Sequence, residues 1–166
     1  VSEDIYQKCS QLIHEESEAL SIAGLIVPMM TPFDDQLEID LEAYADHIDW
    51  LAERGIKRLL IGSHVGERAS LTINERIKLL KVALEYFPWI ILFDVTCQSL
   101  AETKALAQKA EALGVDIIVA TLPAGMGTLT REGVIAYFNQ IEASVEQPLF
   151  LLHDKHNQSI TLDTSW

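Results

Sequence analysis

Residues 90–94 read Ile90-Ile91-Leu92-Phe93-Asp94, a short apolar run that ends in a carboxylate. Similar runs begin at residues 25, 58, 117 and 149, close to the ~30-residue period of a strand followed by a crossover helix. Continuous apolar runs of this length are typical of strands that are buried on both faces, so we expect five parallel strands. The other four runs are Leu25-Ile26-Val27, Arg58-Leu59-Leu60-Ile61-Gly62, Ile117-Ile118-Val119-Ala120 and Leu149-Phe150-Leu151-Leu152.

Amphipathic stretches separate these runs. Residues 41–54 and 100–113 both carry apolar residues at helical spacing, and each stretch is followed by a glycine, Gly55 or Gly114. A glycine at this point is typical of a helix end, because the residue after the last turn often adopts a positive φ. The pattern therefore predicts alternating strands and helices.

Five βα units fit either an open doubly wound sheet or a (β/α)₈ barrel. The first run is followed by Pro28-Met29-Met30-Thr31-Pro32, which lacks the glycines that cradle a dinucleotide in a doubly wound sheet. A complete barrel usually has ~250 residues, so 166 residues provide only part of one. We predict an α/β fold, a (β/α)₈ TIM barrel with only about the first five βα units, in residues 24–166. Residues 1–23 have loose helical spacing and predict an N-terminal helical extension.

Composition excludes several classes of function. The chain is 49% hydrophobic and 22% charged, and its formal net charge of −13 would repel nucleic acids and anionic lipids. No run approaches the ~20 apolar residues of a membrane helix, and the acidic start is unlike a signal peptide. Cys9 and Cys97 lie far apart without a second cysteine nearby, so they predict neither a zinc site nor a disulfide. We expect a cytoplasmic protein without a cofactor, nucleic-acid partner or membrane partner.

Several motifs occur in the order of a known family. They are Thr31-Pro32-Phe33-Asp34, Gly62-Ser63-His64-Val65-Gly66-Glu67, Ser70-Leu71-Thr72, Glu75-Arg76, residues 110–116, Pro123, Gly133, Tyr137-Phe138 and Pro148. From about Gly24 to Leu162 the chain resembles the dihydrodipicolinate synthase and N-acetylneuraminate lyase family. The resemblance implies a (β/α)₈ barrel, a homo-oligomer and class I aldolase chemistry. In this chemistry a lysine on the sixth strand forms a Schiff base with pyruvate or another 2-keto acid.

The chain departs from the family pattern at the positions that the resemblance assigns to chemistry. The family's Thr-Thr before Gly-Glu, which holds the keto-acid carboxylate, is His64-Val65 here. Backbone N–H groups of this turn can still hold an anion, and His64 can add a donor or a positive charge. The family's Pro-Tyr-Tyr is Pro123-Ala124-Gly125, so the proton-relaying phenol is absent. The sixth strand and its lysine are not in the sequence, so we expect the chain alone to be inactive.

The candidate site lies at the carboxyl ends of the strands, where TIM-barrel active sites form. The predicted substrate-binding residues are Ser63, His64, Val65, Glu67, Asp94 and His153. Thr31, Thr96 and Thr121 are expected at the same edge. The candidate catalytic residues are His64 and Lys155. Lys155 could replace the missing Schiff-base lysine, but Asp154 beside it would raise its pKa and disfavour the neutral amine, so an exposed loop charge is the alternative.

A metal site is another possibility for these residues. His64, Asp94 and His153 carry nitrogen and oxygen ligands that suit zinc or manganese. As an alternative, the two histidines form hydrogen bonds across the barrel mouth, and Asp94 caps the next helix or accepts from a loop donor. No short ligand motif favours the metal reading.

Three functions remain open. The first is a lyase or aldolase that acts on a 2-keto acid such as pyruvate through a Schiff base, with the lysine outside this sequence. The second is a divergent, non-catalytic relative that binds a ligand or a partner, which the loss of the Thr-Thr and Tyr positions favours. The third is a metal-assisted aldolase or hydrolase.

Overall fold

The computed structural model describes residues 23–123 and 129–153. It contains five strands, each of which begins within two residues of the predicted position. They are β1 (Val27–Pro28), β2 (Arg58–Ile61), β3 (Ile90–Asp94), β4 (Ile117–Ala120) and β5 (Leu149–Leu151). All neighbouring strands pair in parallel, in the order β1-β2-β3-β4-β5, which confirms the predicted arrangement. The predicted extension at residues 1–23, except residue 23, lies outside the described residues, as do Asp154 and Lys155.

One helix connects each pair of consecutive strands. The helices are α1 (Leu41–Glu53), α2 (Ile73–Tyr86), α3 (Leu100–Leu113) and α4 (Arg131–Glu142). Gly55 and Gly114 have φ values of 78° and 91° after α1 and α3, which confirms the predicted helix ends. None of the described helices combines the length and the apolar character that crossing a membrane requires.

Successive side chains of a strand point to opposite faces of the sheet, and the two faces pack against different residues. In β3, Ile91 and Phe93 pack in the main core with the apolar sides of the helices, including Tyr44, Ile48 and Leu51 of α1. Leu92 lies on the other face in a second cluster that consists only of residues in or next to the strands. Its members are Leu92, Ile117 and Val119, with the partly buried Ile26, Leu60, Ile90, Phe150 and Leu152 around them.

A capping box fixes the start of α2. The Glu75 N–H donates to the Thr72 hydroxyl at 3.3 Å, and the Thr72 N–H donates to the Glu75 carboxylate at 2.7 Å. These bonds satisfy two backbone donors that the first turn of a helix leaves open. They also set the point at which the loop after β2 must end.

Candidate functional site

The loop after β2 carries most of the predicted site residues. We call residues 62–70 the rim turn. It contains two short 3₁₀ turns, His64–Gly66 and Arg68–Ser70, separated by Glu67 in the left-handed conformation at φ 56° and ψ 35°. His64, Val65 and Glu67 are exposed. The rim turn therefore presents an imidazole, an isopropyl group and a carboxylate at the carboxyl edge of the sheet.

Ser63 differs from the other predicted residues of the rim turn because it is buried, with 1% exposure. Its hydroxyl has no hydrogen-bond partner among the described residues. The Ser63 carbonyl, in contrast, accepts from the N–H groups of Gly66 and Arg68 at 3.1 and 3.3 Å. Ser63 thus closes the rim turn through its backbone.

A tight contact joins the rim turn to the residues after β1. The Thr31 hydroxyl donates to the Gly66 carbonyl at 2.8 Å, in a buried hydrogen bond. A Cβ atom at Gly66 would lie 2.7 Å from the Met29 carbonyl oxygen. Only glycine fits this approach without a shift of the backbone, which gives a steric reason for the glycine in the Gly66-Glu67 motif.

An ion pair joins the rim turn to β3. The Arg68 guanidinium donates to the carboxylate of Asp94, the last residue of β3. The Asp94 side chain is completely buried, whereas the Arg68 side chain is 17% exposed. The other carboxylate oxygen of Asp94 accepts from the Thr96 N–H at 2.9 Å. Asp94 therefore accepts from a loop donor, as one of the two sequence interpretations expected, and also binds an arginine that the sequence did not single out.

A second arginine supports the same strand end from the helix layer. Arg76 of α2 is 3% exposed, and its guanidinium donates to the carbonyl oxygens of Asp94 and Thr96, the latter at 3.0 Å. It also donates to the Cys97 sulfur at 3.4 Å and lies near the Phe93 ring. Arg76 thus fixes the backbone as it leaves β3.

Burial dominates the titration of this cluster. It raises the pKa of Asp94 above its ordinary value, although Arg68 and the Thr96 hydrogen bonds act in the opposite direction. Burial also lowers the pKa of Arg76, against the attraction of Asp94. The pKa of the Cys97 thiol is raised, again mainly by burial, so this thiol is less ionised than an exposed cysteine.

The next strand end is connected by two threonines. The Thr121 N–H after β4 donates to the Thr96 hydroxyl at 2.9 Å, and both residues are buried. Thr31, Thr96 and Thr121 thus lie at the carboxyl edge, as predicted, and each makes a hydrogen bond that connects neighbouring strand ends. His153 follows β5 and is partly buried.

The predicted metal ligands do not form a ligand cluster. Within residues 23–123 and 129–153, no group of three His, Cys, Asp or Glu residues is arranged to hold a metal ion. His64 is exposed on the rim turn, whereas Asp94 is enclosed by Arg68 and Thr96. The geometry of the described residues therefore gives the metal-assisted hypothesis no site.

Arg68 and Arg76 are not among the site residues that the sequence predicts. Arg76 had a recognisable signal, because it lies in line with Leu80 and Ala83 on the buried side of α2. A charged residue on the apolar side of a helix requires a buried partner. Arg68 had no comparable signal, since its partner Asp94 is 26 positions away at the end of β3.

A cleft of about 700 Å³ lies beside this cluster, between the start of α2 and the β3–α3 loop. Its polar lining includes Arg68, Thr72, Arg76, Thr96, Cys97 and Gln98. The volume lies in the range of small-molecule pockets. None of the predicted substrate-binding residues lines this cleft, although Arg68 and Ala69 at the end of the rim turn do.

Comparison with models of known families identifies the family of this chain. The model of the dihydrodipicolinate synthetase family matches residues 21–165, which is most of the chain. The chain belongs to the dihydrodipicolinate synthetase family. This confirms the resemblance, and the sequentially ordered parallel sheet is the first part of the family's TIM barrel.

Individual family members show how much of the fold is present. The chain is 32% identical over 128 residues to an uncharacterized DapA-like lyase of Pyrococcus abyssi, covering 77% of this chain and 43% of the relative. It is 29% identical over 142 residues to the 4-hydroxy-tetrahydrodipicolinate synthase of Macrococcus caseolyticus, covering 84% of this chain and 47% of the relative.

A solved structure shows the same arrangement. The dihydrodipicolinate synthase of Acinetobacter baumannii, complexed with pyruvate, superposes with a TM-score of 0.74 at 25% identity. The match covers 81% of this chain and 46% of that structure. The chain thus spans less than half the length of these relatives, and its family is one of lyases.

Proposed function

We propose that the protein containing these residues is a lyase that acts on a small 2-keto acid such as pyruvate through a Schiff base, with the catalytic lysine outside the 166 residues. The family match over residues 21–165 carries this proposal. The pyruvate complex of the Acinetobacter baumannii relative supports the substrate class. The half-length coverage of the relatives is consistent with a lysine encoded elsewhere.

We assign the substrate's carboxylate to the rim turn. Its exposed part is a tight turn at the carboxyl edge, and His64 places an imidazole there. An imidazole N–H group donates to carboxylates, so His64 can replace a donor of the hydroxyl pair that the family pattern has at His64 and Val65. Asp94 is then a supporting residue rather than a ligand, because Arg68 and Thr96 occupy its oxygens.

Borohydride trapping tests the proposal. The full-length protein is incubated with pyruvate, reduced and analysed by peptide mass spectrometry, with the 166-residue chain in parallel. We expect a reduced pyruvyl adduct on one lysine beyond residue 166 and none on the shorter chain. An adduct on Lys155 would instead identify the alternative nucleophile. The absence of any adduct on the full-length protein would contradict the lyase proposal.

The substitutions also favour a second candidate, a non-catalytic relative that binds a ligand or a partner. Val65 provides no hydroxyl, and Pro123-Ala124-Gly125 provides no phenol for proton relay. Calorimetric titration with pyruvate separates the two functions. Binding without a trapped adduct or turnover would support this candidate, whereas an adduct would exclude it.

We also propose a homo-oligomer. Among the described residues, the outer edges of β1 and β5 have no neighbouring strand, and the second face of the sheet carries apolar side chains that are only partly buried. Proteins usually cover such groups. Sedimentation of the 166-residue chain tests this point, and a stable monomer across micromolar concentrations would contradict it.

A further inference from the structure

The rim turn is attached to its neighbours at two points. Thr31 binds the Gly66 carbonyl on the β1 side, and Asp94 binds the Arg68 guanidinium on the β3 side. The exposed His64 and Val65 precede Gly66, and the exposed Glu67 lies between Gly66 and Arg68. The orientation of the exposed residues therefore depends on both attachments.

We propose that Arg68 and Asp94 are positioning residues, whose ion pair holds the rim turn in the conformation that presents His64 to a bound carboxylate. The carboxylate ligand rests on the proposed function, whereas the positioning of the turn does not. Neither residue touches the ligand in this scheme, because Asp94 is completely buried and Arg68 points toward it.

Asp94 has other hydrogen-bond partners besides Arg68. The effect of the ion pair on the rim turn can therefore be separated from its contribution to the stability of the whole protein. Asp94 retains the Thr96 N–H on one carboxylate oxygen and the Arg76 guanidinium on its carbonyl oxygen when Arg68 is removed. These contacts belong to β3, its own loop and α2. Loss of the Arg68 guanidinium consequently removes the contact between the rim turn and β3. The end of β3 keeps its hydrogen bonds to Arg76 and Thr96.

The chemistry of the pair also predicts which replacement rescues it. Lysine keeps the positive charge that compensates the buried carboxylate, although it loses the planar donor geometry of arginine. Methionine keeps much of the side-chain length without a donor or a charge. Arg68→Lys should therefore retain part of the turn's order, and Arg68→Met should lose it.

Amide hydrogen exchange measures the turn directly in the full-length protein. The reporters are the Gly66 and Glu67 N–H groups, which donate within the rim turn at 3.1 and 3.0 Å. Loss of a charge-assisted hydrogen bond should speed their exchange about tenfold or more in Arg68→Met. The Val95 N–H, which donates to Val119 at 2.8 Å, reports on β3 and should change little. Arg68→Lys should give an intermediate rate at the turn.

Arg54→Met is the matched control. Arg54 lies at the end of α1, where its side chain is half exposed and covers the Trp50 ring at 3.8 Å. The substitution removes the same charge away from the rim turn and should leave Gly66 and Glu67 unchanged. Equal acceleration at Gly66 and Val95 in Arg68→Met, or no acceleration at either, would overturn the positioning role.

Pyruvate titration of the same variants then distinguishes this inference from the proposed function. We expect Arg68→Met to weaken pyruvate binding about tenfold, with Arg54→Met unchanged. If the wild-type protein binds no pyruvate but the exchange pattern holds, the proposed function fails and the positioning of the turn stands. If Arg68→Met binds pyruvate as tightly as the wild-type protein, the role of the pair in ligand binding is refuted.

Discussion

Replacing Gly66 with alanine tests the tight approach between the rim turn and the residues after β1. A Cβ atom there would lie 2.7 Å from the Met29 carbonyl oxygen, whereas ordinary contacts begin at 3.4 Å, so the backbone must move by ~0.7 Å. The Met29 N–H donates to Leu60 at 2.9 Å, which restrains this movement. Gly66 does not have a positive φ, so the penalty is steric rather than torsional.

The expected loss of stability follows from two opposing effects. Overpacking costs about 1–3 kcal/mol. The smaller conformational freedom of alanine in the unfolded chain offsets about 0.4–1 kcal/mol of this cost. The net loss of roughly 1–2 kcal/mol should lower the melting temperature by roughly 2–8 °C for a chain of this size.

Thermal and urea denaturation followed by circular dichroism measure this loss, and amide chemical shifts locate it. Gly55→Ala is the control, because its Cβ meets nothing within 4 Å, while its φ of +78° costs about 1–2 kcal/mol. Both variants should lose similar stability, but only Gly66→Ala should shift the amides of residues 63–68. A melting temperature within 1 °C of the wild type would correspond to a loss of no more than about 0.3–0.5 kcal/mol. Such a small loss in Gly66→Ala would refute the steric argument.

Three further substitutions give separate tests. Tyr44→Phe removes a buried hydroxyl that has no partner among the described residues, so unfolding in urea should show unchanged or slightly higher stability, and a loss above about 1 kcal/mol would contradict this. The pKa of Glu75 is lowered mainly by the Thr72 hydroxyl bond, so its stabilisation is present above the unfolded pKa of ~4.3 and is lost as the pH falls through the folded pKa. The difference between wild type and Glu75→Ala should accordingly shrink from pH 6 to about pH 3 in denaturant titrations, and a constant difference would argue against the cap. The pKa of Asp94 is raised, so its contribution to the free energy of unfolding is full below the unfolded pKa of ~3.9 and falls as the pH rises through the folded pKa. Relative to Asp94→Asn, the stability of the wild-type protein should therefore decline as the pH rises through this range, and an increase would contradict a raised pKa.

The strands and helix ends were predictable because they depend on local pattern. The run Ile90–Asp94 became β3 without change, and Gly55 and Gly114 took the positive φ that a helix end requires. β1 is shorter than its apolar run, since only Val27 and Pro28 pair with β2 and Leu25 is 65% exposed. A hydrophobic run marks a strand but does not reveal how many of its residues align with a neighbour.

The site was predictable only in part. The sequence placed Ser63 to Glu67 and Asp94 at one edge, because parallel strands end on the same side. It did not reveal that Arg68 donates to the Asp94 carboxylate, since a contact between a loop and a distant strand end depends on how the chain packs rather than on spacing. The burial of Ser63 is likewise an outcome of packing, because His64 and Val65, which follow it in the sequence, are exposed. The roles of these residues toward a ligand stay predictions.

The sequential strand order has a consequence for synthesis on the ribosome. Each strand pairs with the strand that precedes it in the chain, so no described strand waits for a distant segment before it finds a partner. Translation adds ~5–20 residues per second, whereas local elements form in microseconds. Each emerging βα unit can dock on the preceding one before the next is made, so the nascent sheet grows outward from β1.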